Sequence, residues 1–218
     1  KKYLFLKKLP NYIECFDNSN LFGKNPTSSC VVFKNGVSEK KEYRHYNIKT
    51  VKNINDYDSI YEVVFRRFNY LINCKKQLPD LIIIDGGKGQ LSSAYKALCF
   101  LKLEKKIDLI SIAKKFEYIY SFNKKSPFVF NKNSNELKFL QFIRNESHRF
   151  CLRLHKKKRT SSFFNNDNFN IKGIGFLTKE KLLKKYKYLN NIKKIKEIDF
   201  IKLLGSKKGS IIYNHFNK

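Results

Sequence analysis

A run of four aliphatic residues, Leu81 to Ile84, leads directly into Asp85 and then into Gly86-Gly87-Lys88-Gly89-Gln90. This pattern predicts a buried β-strand over residues 81–85, followed by a glycine-rich turn and a helix over 91–103. Burying an unpaired carboxylate is strongly unfavourable, so an acid at the end of such a strand must be ionised, solvated and useful there. The arrangement is typical of α/β enzymes, whose sites lie at the carboxyl ends of the strands.

The patterns on either side of this strand predict a mixed sheet. The further predicted elements are strands over 12–16, 29–34 and 42–48, a helix over 57–72, a strand over 109–112, a Tyr/Phe-rich ribbon over 117–130 and a helix over 135–156. The dipeptide Asn35-Gly36 predicts a type I′ turn between the second and third strands. We therefore expect an α/β domain, with a mixed sheet and flanking helices, over residues 1–158.

The C-terminal part of the chain has a different pattern. Residues 159–168 lose periodicity and are rich in Ser and Asn, which is typical of a linker. The segment Ile171-Lys172-Gly173-Ile174-Gly175 precedes a helical run over 177–188, and this is the signature of a helix-hairpin-helix motif. Such hairpins turn backbone N–H groups toward a DNA phosphate without reading bases, although two glycines beside a helix can also form a plain loop.

A second, degraded copy of this signature follows at 204–208. We therefore expect a small all-α domain over 169–218, with tandem helix-hairpin-helix motifs of which the second is degenerate. Its candidate DNA-binding residues are Gly173, Gly175 and Lys179.

The chain is strongly basic, with 46 Lys and Arg against 18 Asp and Glu and a formal net charge of +28. Charge of this sign and size attracts polyphosphates, so nucleic acid is the expected partner. Two other interpretations are the Lys-rich composition of an AT-rich genome and, more weakly, a membrane surface. No segment has the apolar length of a membrane span or the pattern of a signal peptide, so we expect no membrane partner and a cytosolic protein.

The cysteines, at positions 15, 30, 74, 99 and 151, are odd in number and scattered, without a CxxC pair. This distribution argues against a disulfide framework and against a structural zinc cluster, so we expect reduced thiols. The chain contains no Met, even at its start, which suggests a piece of a longer protein.

Asp17 ends the first predicted strand as Asp85 ends the fourth, and in a mixed sheet these two ends can lie side by side. Adjacent carboxylates repel each other, and a hard divalent cation, Mg²⁺ or Mn²⁺, is the usual resolution. Such an ion can lower the pKa of a water molecule and neutralise charge that builds on a phosphodiester. We therefore expect metal-dependent hydrolysis of a nucleic-acid backbone, with Asp17 and Asp85 as ligands.

One stripe of the predicted helix over 135–156 carries Arg144, His148, Cys151 and His155. His148 could complete the metal site, either as a ligand or as the base that takes a proton from the attacking water. The sequence leaves both roles open, together with a purely structural one. A zinc site formed by His148, Cys151 and His155 is a minor alternative, because no fourth ligand is apparent.

Three basic residues beside these acids are candidate DNA contacts. Lys88 lies in the glycine-rich turn, where it can face a phosphate, although a plain strand-to-helix turn is the alternative. Arg144 and Arg149 lie close to His148 in the sequence. The turn lacks the spacing of a P-loop, so we expect no ATP and no other small-molecule cofactor.

Several motifs together resemble the C-terminal half of the UvrC family, in order and over nearly the whole chain. They are Glu14-Cys15-Phe16-Asp17, Val32-Phe33-Lys34-Asn35-Gly36, Tyr43-Arg44, Ile48-Lys49-Thr50-Val51, Leu78-Pro79-Asp80-Leu81, Ile84-Asp85-Gly86-Gly87-Lys88-Gly89-Gln90-Leu91 and Arg144-Asn145-Glu146-Ser147-His148-Arg149-Phe150.

The resemblance implies an RNase H-like endonuclease domain followed by tandem helix-hairpin-helix motifs. It implies a single incision in damaged double-stranded DNA, on the 5′ side of a lesion, in nucleotide excision repair, within a complex that contains UvrB and with UvrA acting upstream. Asp17, Asp85 and His148 match the family's catalytic set, and Asp56 is a weaker catalytic candidate.

Two rival interpretations come from different classes. One is a self-sufficient damage nuclease of the endonuclease V kind, which usually completes its site with acids instead of a His. The other is a non-catalytic DNA-binding scaffold whose nuclease activity has been lost. The catalytic-type residues are all present in their local motifs, which favours an enzyme.

Overall fold

The structure is a computed structural model, and it describes residues 1–19, 27–48, 55–114, 116–164, 171–186 and 195–217. Within the 154–164 part of its helix, and at residues 2, 19, 176 and 183, only the backbone is described. The chain divides into two compact units, Lys1–His155 and Lys156–Lys218.

The first unit is built on one eight-stranded mixed sheet. Its strands are β1 (Tyr12–Ser19), β2 (Thr27–Lys34), β3 (Val37–Ser38), β4 (Arg44–Asn47), β5 (Leu81–Asp85), β6 (Asp108–Ala113), β7 (Tyr118–Ser121) and β8 (Lys124–Phe128). The strand order is β3-β2-β1-β5-β6-β7-β8, with β4 also paired to β2. Strands β1, β5 and β6 run parallel at the centre, and antiparallel pairs complete both sides.

Because β1, β5 and β6 are parallel, their C-terminal ends meet at one edge of the sheet, which we call the carboxyl edge. Their N-terminal ends meet at the opposite edge, the amino edge. Strand β5 is aliphatic up to Asp85 and fully buried, and β1 and β6 are buried over most of their length, as expected for parallel strands covered on both faces. The predicted strand over 81–85 is confirmed at both of its ends.

Helices cover both faces of this sheet. They are α1 (Asp56–Asn73), α2 (Lys88–Phe100) and α3 (Asn135–Phe164). Phe68 of α1 packs against Phe16 of β1, while Ser147 of α3 donates a hydrogen bond to the carbonyl of Cys15, the adjacent residue on β1. Since successive strand residues point to opposite faces, α1 and α3 lie on opposite sides of the sheet. No helix among the described residues is long and apolar enough to cross a membrane.

The hairpin after β2 only partly follows the prediction. Asn35 and Gly36 both have positive φ, at 50° and 79°, as a type I′ turn requires. The predicted return strand over 42–48 is observed as the shorter β4, Arg44–Asn47. A two-residue strand that was not predicted, β3, pairs with β2 before it, and a short 3-10 helix, Lys40–Glu42, separates β3 from β4. Its charged sequence offers no apolar residue to alternate toward the core, so pairing is interrupted there.

Two helices differ from their predicted bounds. Helix α2 runs from Lys88 to Phe100 and not over 91–103, and it begins early because Gly87 adopts an extended N-cap conformation. Helix α3 continues to Phe164, so residues 159–164 of the predicted linker are helical, and 165–168 lie outside the described residues. No Gly or Pro interrupts that stretch, and extending a helix costs far less than nucleating one.

The second unit contains three described helices around a small apolar core. The helices are α4 (Phe176–Tyr186), α5 (Glu197–Leu204) and α6 (Ser206–Phe216). The core is formed by Ile171, Ile174, Leu182, Phe200 and Ile212. Gly205, with φ +86°, is the only residue between α5 and α6, and the two helices pack so closely that a Cβ on Gly209 would lie 2.6 Å from the backbone nitrogen of Ile201.

Candidate metal centre

The register of β1 and β5 brings two carboxylates together at the carboxyl edge. Phe16 pairs with Ile84 in the parallel ladder, so Asp17 and Asp85 are the next residues on their strands and point to the same face. Both are buried, at 2% and 5% exposed. The prediction that these two strand ends lie side by side is therefore confirmed.

Helix α3 adds an imidazole to this pair. The hydroxyl of Ser147 is buried against β1, where it donates to the Cys15 carbonyl at 3.3 Å, and this contact fixes the helix over the end of the strand. The next residue, His148, places its Nδ1 2.9 Å from Asp17 Oδ2. One ligand atom from each of Asp17, Asp85 and His148 lies within 4.8 Å of the other two.

Burial and mutual repulsion shift the protonation of both acids. Loss of solvation and the nearby charge of Asp85 raise the pKa of Asp17 to about 6, although the hydrogen bond with His148 opposes the shift. Burial likewise raises the pKa of Asp85, and the cationic group of Lys114 opposes that shift. The two carboxylates are thus unfavourable as a charged pair unless a cation joins them.

The donor set fits a divalent metal ion. Both carboxylate oxygens of Asp85 are buried and have no hydrogen-bond partner among the described residues, although Lys114 Nζ lies 3.1 Å from Oδ2 as an ion pair. Two carboxylates and an imidazole on rigid elements, with lone pairs left unsatisfied, are suited to Mg²⁺ or Mn²⁺. Asp17, Asp85 and His148 are the residues that could hold it.

Lys114 was missed in the sequence. It is the first residue after β6, the third parallel strand, and so belongs to the same edge as Asp17 and Asp85. That position is the signal that could have identified it, because the first residue after a central parallel strand lies at the carboxyl edge.

Asp56 lies near this edge but outside the cluster. It opens helix α1, and its backbone carbonyl accepts a hydrogen bond from the side chain of Asn18, the residue after Asp17, at 3.0 Å. Its carboxylate is not among the grouped ligand atoms. Lys88 is exposed at the start of α2, with Nζ 5.3 Å from the centre of the Tyr120 ring.

The two predicted DNA-contacting arginines are both paired with glutamates. Arg144 Nη1 lies 2.5 Å from Glu117 Oε2, and Arg149 makes two 2.7 Å hydrogen bonds to Glu146. The Arg144 side chain is only 11% exposed, whereas that of Arg149 is 49% exposed. Arg144 therefore joins the segment after β6 to helix α3, one turn before His148.

The predicted DNA-binding residues of the second unit lie around the start of α4. Gly173 has φ +87°, and the carbonyl of Gly175 accepts the backbone N–H groups of Thr178 and Lys179. Lys179 is only 8% exposed, whereas a phosphate contact needs an accessible ammonium group. We therefore leave Lys179 out of any proposed DNA interface.

The zinc alternative gains no support from the described residues. Cys151 is buried with its Sγ directed at the Asp17 carbonyl, and His148 belongs to the carboxylate cluster. The side chain of His155 lies outside the described part of the chain. All five cysteines are free thiols, as predicted.

Comparison with known proteins identifies one family. The model of the UvrC RNase H endonuclease domain matches residues 1–152. The chain is 46% identical over its whole length to UvrABC system protein C of Christiangramia forsetii, covering 36% of that protein, and 53% identical over 72% of its length to that of Methanococcus maripaludis, covering 30%. It thus spans about a third of the length of the curated relatives it matches.

One solved structure, an endonuclease V of Ciona intestinalis in complex with DNA, aligns with half of the chain and 48% of its own length. Its TM-score of 0.37 and sequence identity of 17% carry no conclusion about function.

Proposed function

Because the chain belongs to the UvrC RNase H endonuclease family, we propose that it is a metal-dependent endonuclease that cuts damaged double-stranded DNA on the 5′ side of a lesion. The observation that carries the proposal is the grouping of Asp17, Asp85 and His148 within 4.8 Å at the carboxyl edge. The name shared by the relatives, UvrABC system protein C, supports action in nucleotide excision repair, in a complex with UvrB and after UvrA.

Asp17 and Asp85 would hold a Mg²⁺ or Mn²⁺ ion. When bound, such an ion lowers the pKa of a coordinated water and stabilises negative charge on the phosphate. The two acids contribute fixed positions, because each is set by the parallel ladder of β1 and β5 and not by a mobile loop.

His148 would accept the proton from the attacking water molecule. Its Nδ1 is engaged with Asp17 at 2.9 Å, so a proton on Nδ1 leaves Nε2 as the basic nitrogen of the ring. The side chain is 45% exposed, which gives Nε2 access to a water molecule. These features favour His148 as the base, with Asp17 orienting the ring.

The second unit would hold the duplex. Gly173 and Gly175, before helix α4, support a helix-hairpin-helix motif, since the positive φ of Gly173 allows a tight turn there. Lys172, Lys207 and Lys208 are exposed beside the two glycine-containing turns. A duplex gripped through phosphates would be held without sequence preference.

The direct test is nicking of a lesion-bearing duplex, assayed with and without Mn²⁺ and with the partner proteins present. We expect Asp85→Asn to abolish nicking. The matched control is Asp108→Asn, because Asp108 is similarly buried on the neighbouring strand but lies at the amino edge. We expect this variant to retain nicking; equal activity of Asp85→Asn and wild type would refute the proposal.

Metal binding separates the enzyme from a DNA-binding scaffold. A scaffold without a working site would show no Mn²⁺ binding that depends on Asp17 and Asp85.

The salt dependence of DNA affinity tests whether the second unit binds the duplex. Lys172→Ala and Lys207→Ala should each reduce the slope of log K against log salt by about one if each lysine contacts a phosphate.

A further inference from the structure

Lys114 makes an unusual contact with the metal centre. Its Nζ lies 3.1 Å from Asp85 Oδ2, yet its side chain is 56% exposed while that of Asp85 is 1% exposed. The ammonium group therefore contacts a buried carboxylate while most of the lysine side chain lies on the solvent-exposed side of the site. No other donor among the described residues pairs with either Asp85 oxygen, so Lys114 is the group held against this carboxylate.

The same carboxylate cannot serve this ammonium group and a metal ion equally well, because two cations close to one oxygen repel each other. Asp17 and Asp85 are fixed on neighbouring strands, whereas Lys114 has a flexible stem and an exposed position after β6. The lysine is therefore the group that can move. Outward movement takes it to the open side of the site, where a DNA strand must approach.

We propose that Lys114 neutralises the Asp17–Asp85 pair before a divalent cation binds, and that it then turns outward and binds a phosphate oxygen of the strand being cut. The inference rests on the proposed nuclease function and deepens it by adding a substrate-binding residue. Arg144, another cation near these acids, is engaged with Glu117 and less exposed, so it is not equivalent.

The first experiment measures Mn²⁺ affinity of the full chain without DNA, for example by the loss of the free-ion EPR signal. Lys114→Met keeps the length of the side chain and removes its charge, so we expect Mn²⁺ to bind on the order of tenfold more tightly. Lys114→Arg should bind Mn²⁺ as the wild type does. Lys96→Met, an exposed lysine on α2, makes the same change in net charge and should leave the affinity unchanged.

The second experiment measures the salt dependence of affinity for a short lesion-bearing duplex, with Ca²⁺ in place of Mn²⁺ to prevent cutting, and without any divalent ion. With Ca²⁺, Lys114→Met should reduce the slope by about one, because one phosphate contact is lost. Without Ca²⁺ its slope should equal that of the wild type, because Lys114 is then engaged with Asp85. Lys114→Arg should restore the slope, and Lys96→Met should match the wild type in both conditions.

Two results would overturn the inference: unchanged Mn²⁺ affinity in Lys114→Met, or a change of slope that is the same with and without Ca²⁺. Asp85→Asn distinguishes this failure from failure of the proposed function. If Asp85→Asn loses Mn²⁺ while Lys114→Met behaves as wild type, only the inference about Lys114 fails. If Asp85→Asn binds Mn²⁺ normally, the metal centre itself is wrong.

Discussion

The two edges of the central sheet each hold buried aspartates, but their surroundings differ. At the amino edge, Asp80 accepts hydrogen bonds from the backbone N–H groups of Asn11 and Tyr12, both at 2.9 Å. Asp108 accepts one from the backbone N–H of Lys7 at 2.8 Å. These carboxylates tie the N-terminal segment to the sheet.

At the carboxyl edge the corresponding acids lack such partners. Asp85 contacts only Lys114 among the described residues, as an ion pair, and Asp17 is hydrogen-bonded to the side chain of His148. Burial acts to raise the pKa of Asp80, but hydrogen bonds from Lys8 and from the backbone outweigh it and lower the pKa, whereas the pKa values of Asp17 and Asp85 are raised. Burial alone therefore does not distinguish the acids at the metal centre, whereas burial with a raised pKa and few hydrogen-bond partners does.

A third kind of buried acid lies in the middle of β1, and removing its partner should destabilise the protein more than any change at the two edges. Glu14 is fully buried, and Arg67 of α1 binds it with both Nε and Nη2 while Tyr12 donates to it at 2.7 Å. Arg67→Met should cost about 3–5 kcal/mol of unfolding free energy, because it leaves this charge without compensation. Urea denaturation would measure it.

The matched double variant, Glu14→Leu with Arg67→Met, should recover most of this loss, since no buried charge then remains. A loss under about 1 kcal/mol in Arg67→Met would show that buried acids here need no partner. The contrast between the two edges would then lose its meaning.

At the carboxyl edge, removing the charge of a buried acid should stabilise the protein instead of destabilising it. A pKa of about 6 in the folded state against 3.8 for the free side chain means that protonated Asp17 favours folding below pH 3.8 and that this advantage is lost as pH rises through 6. At pH 8 Asp17→Asn should therefore be more stable than wild type by up to about 3 kcal/mol, and at pH 3.5 by much less. Metal-free denaturation at both pH values tests this, and a destabilised Asp17→Asn at pH 8 would contradict it.

Much of the fold could be predicted from sequence because its central elements have unambiguous local patterns. The strand over 81–85 and the helix predicted over 57–72, observed as Asp56–Asn73, are examples. The short strand β3, the 3-10 helix after it and the extension of α3 could not be predicted. These features depend on whether pairing or helix growth continues through polar residues, which local pattern does not decide.

The site divides in the same way. Asp17 and Asp85 could be placed together because each follows a predicted strand, and parallel strands end at one edge. The contact between Lys114 and Asp85, and the pairing of Arg144 with Glu117, join segments distant in sequence through loop geometry. No periodicity encodes such contacts, so the glutamate partners of Arg144 and Arg149 could not be predicted, and a DNA contact by either arginine stays a prediction.

A third prediction tests the amino edge. Asp80→Ala removes the acceptor for two backbone N–H groups and the partner of Lys8, so it should destabilise the protein by about 2 kcal/mol at pH 7. Because the pKa of Asp80 is lowered, this stabilisation is present above pH 3.8 and is lost as the pH falls through the lower folded-state value. Thermal unfolding at pH 7 and pH 3 would measure the stability difference between the variant and the wild type at each pH. A variant as stable as wild type at pH 7 would show that Asp80 does not stabilise the fold.

The smallest effect that we expect is the pH dependence of metal affinity, which should depend on the carboxyl edge and not on the amino edge. Protons and a metal ion compete for Asp17, so Mn²⁺ affinity should fall about tenfold per pH unit below about 6, and level off above it. Asp80→Ala should show the same profile, because its edge holds no ligand. A fall of two decades per unit would mean that a second acid with a raised pKa, Asp85, must also lose a proton for the ion to bind. An affinity that stays level down to pH 5 would exclude Asp17 as a ligand.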